Sequence, residues 1–243
     1  PYVSLNYGGS LIDIMILIHE LGHGMHSWFS EQKQLPHNAG YTMLLAEMAA
    51  VFNEYCMLDY LLEKETDDLT VLSVIDAFMD SVRLYVTYQL AHGEFEMAVH
   101  SRVEAGEALT AEWLNKKYLT LMRDYYGHHR GAVHIDDYIR YGWTRNSQLY
   151  ENFYLFAYPV AVCTSAKLYQ SVKREGPKAA ERYIDLFLSA GACDYPMEIL
   201  GRLGIDLKNK STFDEAFKYY DRILDRMEEI VNRMEKNMNT HIK

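Results

Sequence analysis

The residues best suited to chemistry lie near the beginning of the chain. His19 and His23 bracket Glu20 in the pattern His-Glu-Leu-Gly-His. Residues four apart share one face of a helix, so both imidazoles can bind a single metal ion. Glu20 lies beside them, where it can take a proton from a water molecule. Because a hydrolytic zinc site needs three protein ligands and one open position, the pattern predicts a zinc site whose third ligand lies elsewhere.

The third ligand is not supplied by the motif helix. His26 follows His23 by three residues, but the long metalloprotease pattern requires glycine at position 26 and histidine at position 29, where this chain has Phe29. Glu47 and Glu54 are seven apart on the next predicted helix and share one of its faces. One of them can bind zinc while the other orients a ligating imidazole. Spacing alone leaves open which one does which.

Helical periodicity dominates the segments that must position these side chains. It predicts a first helix over 10–29, a second over 41–64, and a long, bent one over 68–104. The first is apolar on nearly every side, so we expect it to be buried all round. Alternation over residues 2–7 predicts one short strand. We therefore predict an all-α fold with a short N-terminal strand, and one catalytic domain over 1–243.

Three tyrosines, Tyr150, Tyr154 and Tyr158, recur at four-residue spacing within a predicted helix over 147–173 that Pro159 must kink or begin. Phenol groups aimed at a developing oxyanion are a known catalytic device. A stripe of core aromatic residues has the same spacing. The pattern alone leaves both interpretations open.

Composition excludes several classes of protein. The chain has 243 residues, 49% of them apolar, with 24 basic and 34 acidic side chains that give a net charge of −10. Such a balance argues against nucleic-acid partners and against binding to anionic lipid. No stretch of about 20 residues lacks charge, so no membrane span is expected. Three widely spaced cysteines and no recognisable signal peptide favour a reducing compartment, the cytoplasm.

Beyond these patterns, several sequence blocks resemble the oligoendopeptidase F family of zinc peptidases, in the thimet oligopeptidase group. The resemblance extends over almost the whole chain. The blocks are Pro1-Tyr2-Val3-Ser4-Leu5-Asn6-Tyr7, 19–27 (HELGHGMHS), 46–54 (AEMAAVFNE), Gly93-Glu94-Phe95-Glu96, Tyr125-Tyr126-Gly127, Asn152-Phe153-Tyr154, Phe187-Leu188-Ser189-Ala190-Gly191 and Tyr195-Pro196-Met197-Glu198-Ile199-Leu200.

The resemblance implies a role for each residue of the predicted metal site. His19, His23 and Glu47 correspond to the three ligands of one zinc ion. Glu20 corresponds to the general base, and Glu54 to the carboxylate that orients a ligand from behind. The implied reaction is the hydrolysis of short, unstructured oligopeptides, as in a metalloendopeptidase.

The resemblance also bears on the tyrosines and on the length of the chain. Tyr158 is the better match to a tyrosine that assists catalysis in relatives, and Tyr154 the second. Gln148 stands where relatives usually have a substrate-binding histidine. Family enzymes are about twice as long. The chain therefore corresponds to their C-terminal catalytic part, and we expect the missing N-terminal half, in cis or in trans, to be its partner.

Two other functions fit parts of the sequence. Glu20 and His23 also form a Glu-x-x-His pair, as in helical di-iron carboxylate proteins. That site needs a second such pair, whereas Glu96 and His100 are four apart rather than three. The other alternative is a fragment that holds zinc and binds peptides but has little or no activity.

Overall fold

The structure, a computed structural model, describes residues 1–241. Within this range the chain forms nine α-helices, separated by short 3-10 and π segments. The α-helices are α1 (Leu11–Lys33), α2 (Met43–Lys64), α3 (Asp68–Val82), α4 (Gln89–Glu104), α5 (Ala111–Tyr125), α6 (Ala157–Glu175), α7 (Pro177–Tyr183), α8 (Pro196–Arg202) and α9 (Lys210–His241). The 3-10 segments are Pro36–Asn38, His128–Arg130, Asp137–Arg145 and Ser147–Tyr150, and the π segments are Arg83–Tyr88 and Ile184–Leu188.

The predicted all-α fold is confirmed, but the predicted N-terminal strand is wrong. Residues 1–8 have no regular secondary structure, and no strand occurs anywhere in 1–241. A strand needs the backbone hydrogen bonds of a partner strand, so the alternating pattern of 2–7 has nothing to pair with. None of the helices in the described range is both long and apolar enough to span a membrane.

The chain divides into two compact units. The first contains Pro1–Asp80 and, from Ala161, the rest of the described chain. The second contains Ser81–Val160. A single catalytic domain over 1–243 stays a prediction.

In the first unit, α2 forms the centre of the core. Buried residues occur on all of its faces, because other segments of this unit surround it. The Tyr55 hydroxyl lies 2.7 Å from that of Tyr220 and donates to the Val162 carbonyl at 3.1 Å. The Ser165 hydroxyl donates to the Met48 carbonyl at 2.8 Å. These contacts fix the helix that carries both candidate glutamates.

The expectation that α1 is buried all round is wrong. It packs with one face on α2 and on the segment Ile184–Leu188, and its buried residues are confined to Gly22, His26 and Ser30. Because only one face has partners within the first unit, the apolar residues on the remaining surface are exposed. These are Ile12, Ile16, Leu21, Met25 and Trp28.

The core of the second unit lies between α4 and α5. Ala91 and Phe95 of α4 pack against Tyr118, Leu121 and Met122 of α5. Partly buried side chains from the segment Asp137–Arg145 complete this cluster.

The helix predicted over 147–173 is wrong for residues 147–156, whereas the alternative in which Pro159 marks the first turn of the helix is confirmed. Residues 147–150 form a 3-10 turn, 151–156 are non-helical, and α6 begins only at Ala157. Pro159 therefore lies in the first turn of a helix, where its missing amide hydrogen costs no hydrogen bond.

Candidate metal centre

The start of α1 is fixed by its own first turn. The Ser10 hydroxyl accepts from the Asp13 amide, while the Asp13 carboxylate accepts from the Ser10 amide at 2.8 Å, which completes a capping box. Two turns further on, His19 and His23 project from one face, with ring centroids 4.9 Å apart and ring planes 85° apart. The predicted pairing of the two imidazoles is therefore present.

A close approach of α1 and α2 brings in the third candidate ligand. At Gly22, an added Cβ would lie 2.5 Å from the Ala50 Cα and 2.8 Å from the Ala49 carbonyl oxygen, so a side chain here would separate the helices. With the backbones this close, one ligand atom each of His19, His23 and Glu47 lies within 4.8 Å of the others. Among the side chains that the structure describes, no other group of histidine, cysteine and acidic residues is gathered in this way.

Glu54 occupies the opposite side of the His19 ring. Its Oε1 lies 2.6 Å from His19 Nδ1, whereas His19 Nε2 faces Glu47 Oε2 at 3.6 Å. A proton on Nδ1 satisfies Glu54 and leaves the Nε2 lone pair pointing toward Glu47. The structure thus separates the two glutamates that spacing left equivalent: Glu47 lies with the imidazole nitrogens that are free to bind, and Glu54 lies behind one of them.

The distances among these residues match ligands around a metal ion better than they match direct hydrogen bonds. Glu47 Oε2 is buried and has no hydrogen-bond partner within the described chain, which is costly for a carboxylate. Its 3.6 Å separation from His19 Nε2 is too long for a hydrogen bond. Two ligands about 2.1 Å from a tetrahedral ion lie about 3.4 Å apart, close to this separation.

The electrostatics of the cluster also favour a cation. Burial disfavours the His19 imidazolium, but the hydrogen bond and charge of Glu54, with the charges of Glu47 and Glu20, outweigh it and raise the pKa of His19. Burial raises the pKa of Glu47, against the attraction of His19. Burial and the neighbouring His19 lower the pKa of His23. Three carboxylates, those of Glu20, Glu47 and Glu54, surround the two imidazoles. The site therefore favours the binding of a positive charge.

Sequence reasoning missed the group that orients His23. The backbone of Ala46, the residue before Glu47, hydrogen-bonds the His23 ring. The Tyr41 hydroxyl donates to the His23 carbonyl at 3.3 Å and lies 2.7 Å from the Ser27 hydroxyl. A backbone acceptor has no signature in the sequence, so only the packing of α1 on α2 could reveal it.

The candidate tyrosines belong to the second unit and lie in its non-helical stretch and at the start of α6. Their hydroxyl oxygens, on Tyr154 and Tyr158, are 3.2 Å apart. Gln148 Nε2 donates to the Tyr158 oxygen at 3.4 Å, and the Tyr85 ring stacks on Tyr158 with centroids 5.8 Å apart. Tyr150, the third member of the spacing pattern, is 71% exposed. The four-residue spacing therefore brings two of the three tyrosines together, although not on one helix.

Comparison with known proteins identifies a matching family. Residues 1–219, which include the candidate metal ligands together with Tyr154 and Tyr158, match Peptidase family M3. The chain belongs to peptidase family M3. The resemblance to oligoendopeptidase F is confirmed by relatives of that name.

Oligopeptidase PepF of Bacillus subtilis (strain 168) is 31% identical over 237 residues, covering 98% of this chain and 35% of that protein. A plasmid-encoded oligoendopeptidase F of Lactococcus lactis subsp. cremoris is 32% identical over 232 residues, covering 96% of this chain and 38% of that protein. The crystal structure of oligoendopeptidase-F from Enterococcus faecium superposes with a TM-score of 0.78 at 32% identity, covering 92% of this chain and 40% of that one. The M3 chain thus spans little more than a third of the length of these curated relatives.

Proposed function

We propose that this chain is the zinc-binding catalytic part of a metalloendopeptidase that cleaves short, unstructured peptides. The observation that carries the proposal is the convergence of His19, His23 and the partnerless Glu47 oxygen on one point. Membership of a peptidase family and the names of the relatives support it.

The donor set favours zinc, one ion per chain. Two imidazoles and one carboxylate, with a fourth position open, form a usual catalytic zinc site. A zinc ion held there would supply Lewis-acid chemistry, polarising the scissile carbonyl and making water more acidic. A di-iron site is disfavoured, because no second cluster of suitable ligands occurs in the described chain.

The chain's own residues provide the remaining chemistry. Glu20 accepts a proton from the attacking water and passes it to the leaving amine. Glu54 holds the His19 tautomer through Nδ1, which keeps Nε2 available as a ligand. The Tyr158 hydroxyl donates a hydrogen bond to the oxyanion that develops on the peptide carbonyl, and Tyr154 assists it.

The substrate and the partner follow from the same interpretation. Relatives named oligopeptidase and oligoendopeptidase suggest short peptides, with the rest of a longer chain, in cis or in trans, completing the substrate channel. The exposed apolar side chains of α1, such as Ile12, Ile16 and Trp28, provide a surface that such a partner could cover. A cytoplasmic location stays a prediction.

The direct test replaces the proposed base without touching a ligand. Glu20→Gln should abolish cleavage of a quenched fluorescent peptide while zinc, measured by mass spectrometry, stays at about one per chain. Glu31→Gln, on the exposed surface of the same helix, is the matched control and should cleave like the wild type.

Two results would contradict the proposal. A wild-type chain that holds zinc and binds peptide without cleaving it, unchanged by Glu20→Gln, favours the inactive peptide-binding fragment. Two irons per chain instead of one zinc favour the di-iron class.

A further inference from the structure

Phe153 has a backbone conformation that needs an explanation. Its φ is 51°, and no other non-glycine residue in the described chain has a positive φ. For a residue with a large side chain, the left-handed region is sterically unfavourable and persists only where the surroundings impose it. Phe153 lies in the non-helical stretch 151–156, directly before Tyr154.

A buried carboxylate holds the Phe153 backbone in place. Glu96, on α4, is 4% exposed, and its Oε1 accepts from the Phe153 amide at 2.6 Å. Its second oxygen is buried and has no hydrogen-bond partner among the residues that the structure describes. One turn along α4, the His100 ring packs on the Phe153 ring with centroids 4.7 Å apart. One helix therefore fixes both the backbone and the side chain of Phe153.

The part of α4 that carries Glu96 is held in place by contacts with the core of the second unit. The neighbour of Glu96, Phe95, packs edge-to-face on Tyr118 with centroids 5.4 Å apart, within the core of the second unit. His92, one turn before Glu96, is fully buried, and it contacts the Tyr88 carbonyl through Nδ1 at 2.7 Å and the Tyr118 hydroxyl through Nε2 at 3.1 Å. Glu96 thus projects from a helix that several independent contacts hold in position.

What Glu96 holds is the turn from which the two phenols emerge. The Tyr154 amide donates to the Glu151 carbonyl at 2.9 Å, and this turn closes around Phe153. A rotation at Phe153 would redirect the chain that enters α6 and separate Tyr154 from Tyr158, whose hydroxyls are 3.2 Å apart.

We propose that Glu96 is a positioning residue for Tyr154 and Tyr158, acting through the Phe153 amide. The inference rests on the proposed function, since it concerns the direction in which the phenols donate. A glycine or asparagine at 153 would adopt this φ without an anchor. Burying a carboxylate with one unsatisfied oxygen costs free energy, and a turn that only needs to be stable does not require it. The cost is understandable for a turn that must hold its side chains in one defined geometry.

Three variants of the full chain test the proposal. Glu96→Ala removes the acceptor, Glu96→Gln keeps a carbonyl oxygen in the same place, and Glu104→Ala removes an exposed glutamate from the same helix. Three quantities are measured: zinc content, kcat and KM for peptide cleavage, and hydrogen exchange at the Phe153 amide.

In Glu96→Ala we expect unchanged zinc, at least about tenfold faster exchange at Phe153, and a kcat lower by about 10- to 100-fold with KM nearly constant. Glu96→Gln should recover most of the kcat, and Glu104→Ala should match the wild type. A purely structural role would lower the melting temperature of Glu96→Ala but leave its kcat unchanged, and that result would overturn the inference.

The failure of this inference can be told apart from failure of the proposed function. Wild-type chain that cleaves no peptide contradicts the proposed function, and hydrogen exchange then decides whether Glu96 holds the turn. Unchanged exchange at Phe153 in Glu96→Ala overturns the inference whether or not the wild type is active. If Glu96→Ala does not fold, Glu96→Gln carries the test, because faster exchange with wild-type kcat in that variant also overturns it.

Discussion

Glu54 and Glu96 are two buried carboxylates that make contacts of the same length with different kinds of partner. Glu54 is 5% exposed and Glu96 is 4% exposed, and each places an oxygen 2.6 Å from a nitrogen. Glu54 reaches an imidazole of the neighbouring helix, and that imidazole lies in a cluster able to hold a cation. Glu96 reaches a backbone amide in a non-helical turn.

The difference shows that burial alone does not identify the task of a carboxylate. The first contact fixes the tautomer and orientation of a side chain. The second fixes the dihedral angles of a main chain. The partner atom therefore decides which measurement each residue should affect: metal affinity for Glu54, and turnover without metal loss for Glu96.

The largest effect should separate a ligand from a positioning residue. Glu47→Ala should lower zinc affinity by about 1000-fold or more, because it removes one of three protein ligands from a site whose binding free energy is on the order of 10 kcal/mol. Glu96→Ala should leave zinc affinity unchanged. Chelator competition measures both, and equal losses in the two variants would contradict the assignment of Glu47.

The next effect concerns the phenols. Tyr158→Phe should reduce kcat by about 100- to 1000-fold with zinc retained, as expected for loss of an oxyanion donor. Tyr150→Phe, at an exposed position with the same spacing, is the control and should keep the wild-type kcat. Steady-state peptide cleavage measures both, and an unchanged Tyr158→Phe would assign this tyrosine to packing instead.

Loss of Glu54 should have a smaller effect than loss of a ligand. Glu54→Ala leaves His19 without its Nδ1 partner, which should reduce zinc affinity by about 10- to 100-fold. Glu65→Ala, exposed at the end of α2, should have no effect. A wild-type affinity in Glu54→Ala would show that helix packing alone orients the imidazole.

The close approach of α1 and α2 can be tested with two glycines of one helix. Gly22→Ala should destabilise the fold by about 1–3 kcal/mol, because the added Cβ meets the α2 backbone. Gly24→Ala should stabilise it by about 0.5–1 kcal/mol through helix propensity, since its Cβ meets only a Val3 methyl at 3.8 Å. Urea unfolding with excess chelator measures both, and equal effects would contradict the packing.

The effect that accumulates most gradually is the pH dependence that His26 contributes. Burial, then the neighbouring His23, lower the pKa of His26 to about 3, and neither ring nitrogen has a hydrogen-bond partner within the described chain. Between pH 6.5 and about 3 the unfolded chain binds a proton that the folded chain excludes, so stability falls as the pH falls. In His26→Leu, stability measured with chelator should decline less steeply below pH 6.5, by up to about 1.4 kcal/mol per pH unit. Identical slopes would show that His26 is protonated in the fold.

The parts of the molecule that the sequence could predict are those built on regular periodicity. The spacing within His19 to His23 and between Glu47 and Glu54 defines helix faces, so the participants of the metal cluster could be named in advance. Which glutamate joins the imidazoles depended on the approach of two backbones at Gly22, a tertiary property. That approach has no periodic signature.

The errors arise where a pattern lacks partners or where a turn interrupts a helix. The alternation over 2–7 found no strand to pair with, and the apolar α1 found neighbours on one side only. The spacing of Tyr154 and Tyr158 suggested a helix, but a left-handed residue at 153 breaks it. That break depends on Glu96, which is distant in sequence.

The bond between Glu96 and Phe153 also has a consequence for the order of folding. It joins residues 57 apart, and closing a loop of that length costs about 3.6 kcal/mol in chain entropy. One hydrogen bond to a charged group returns about 1.5–3 kcal/mol, so the contact cannot form ahead of the structure around it. The α4–α5 core must shorten the loop first. The left-handed turn is therefore among the last features of the second unit to form. A well-ordered turn at Phe153 indicates that the rest of the unit has already folded.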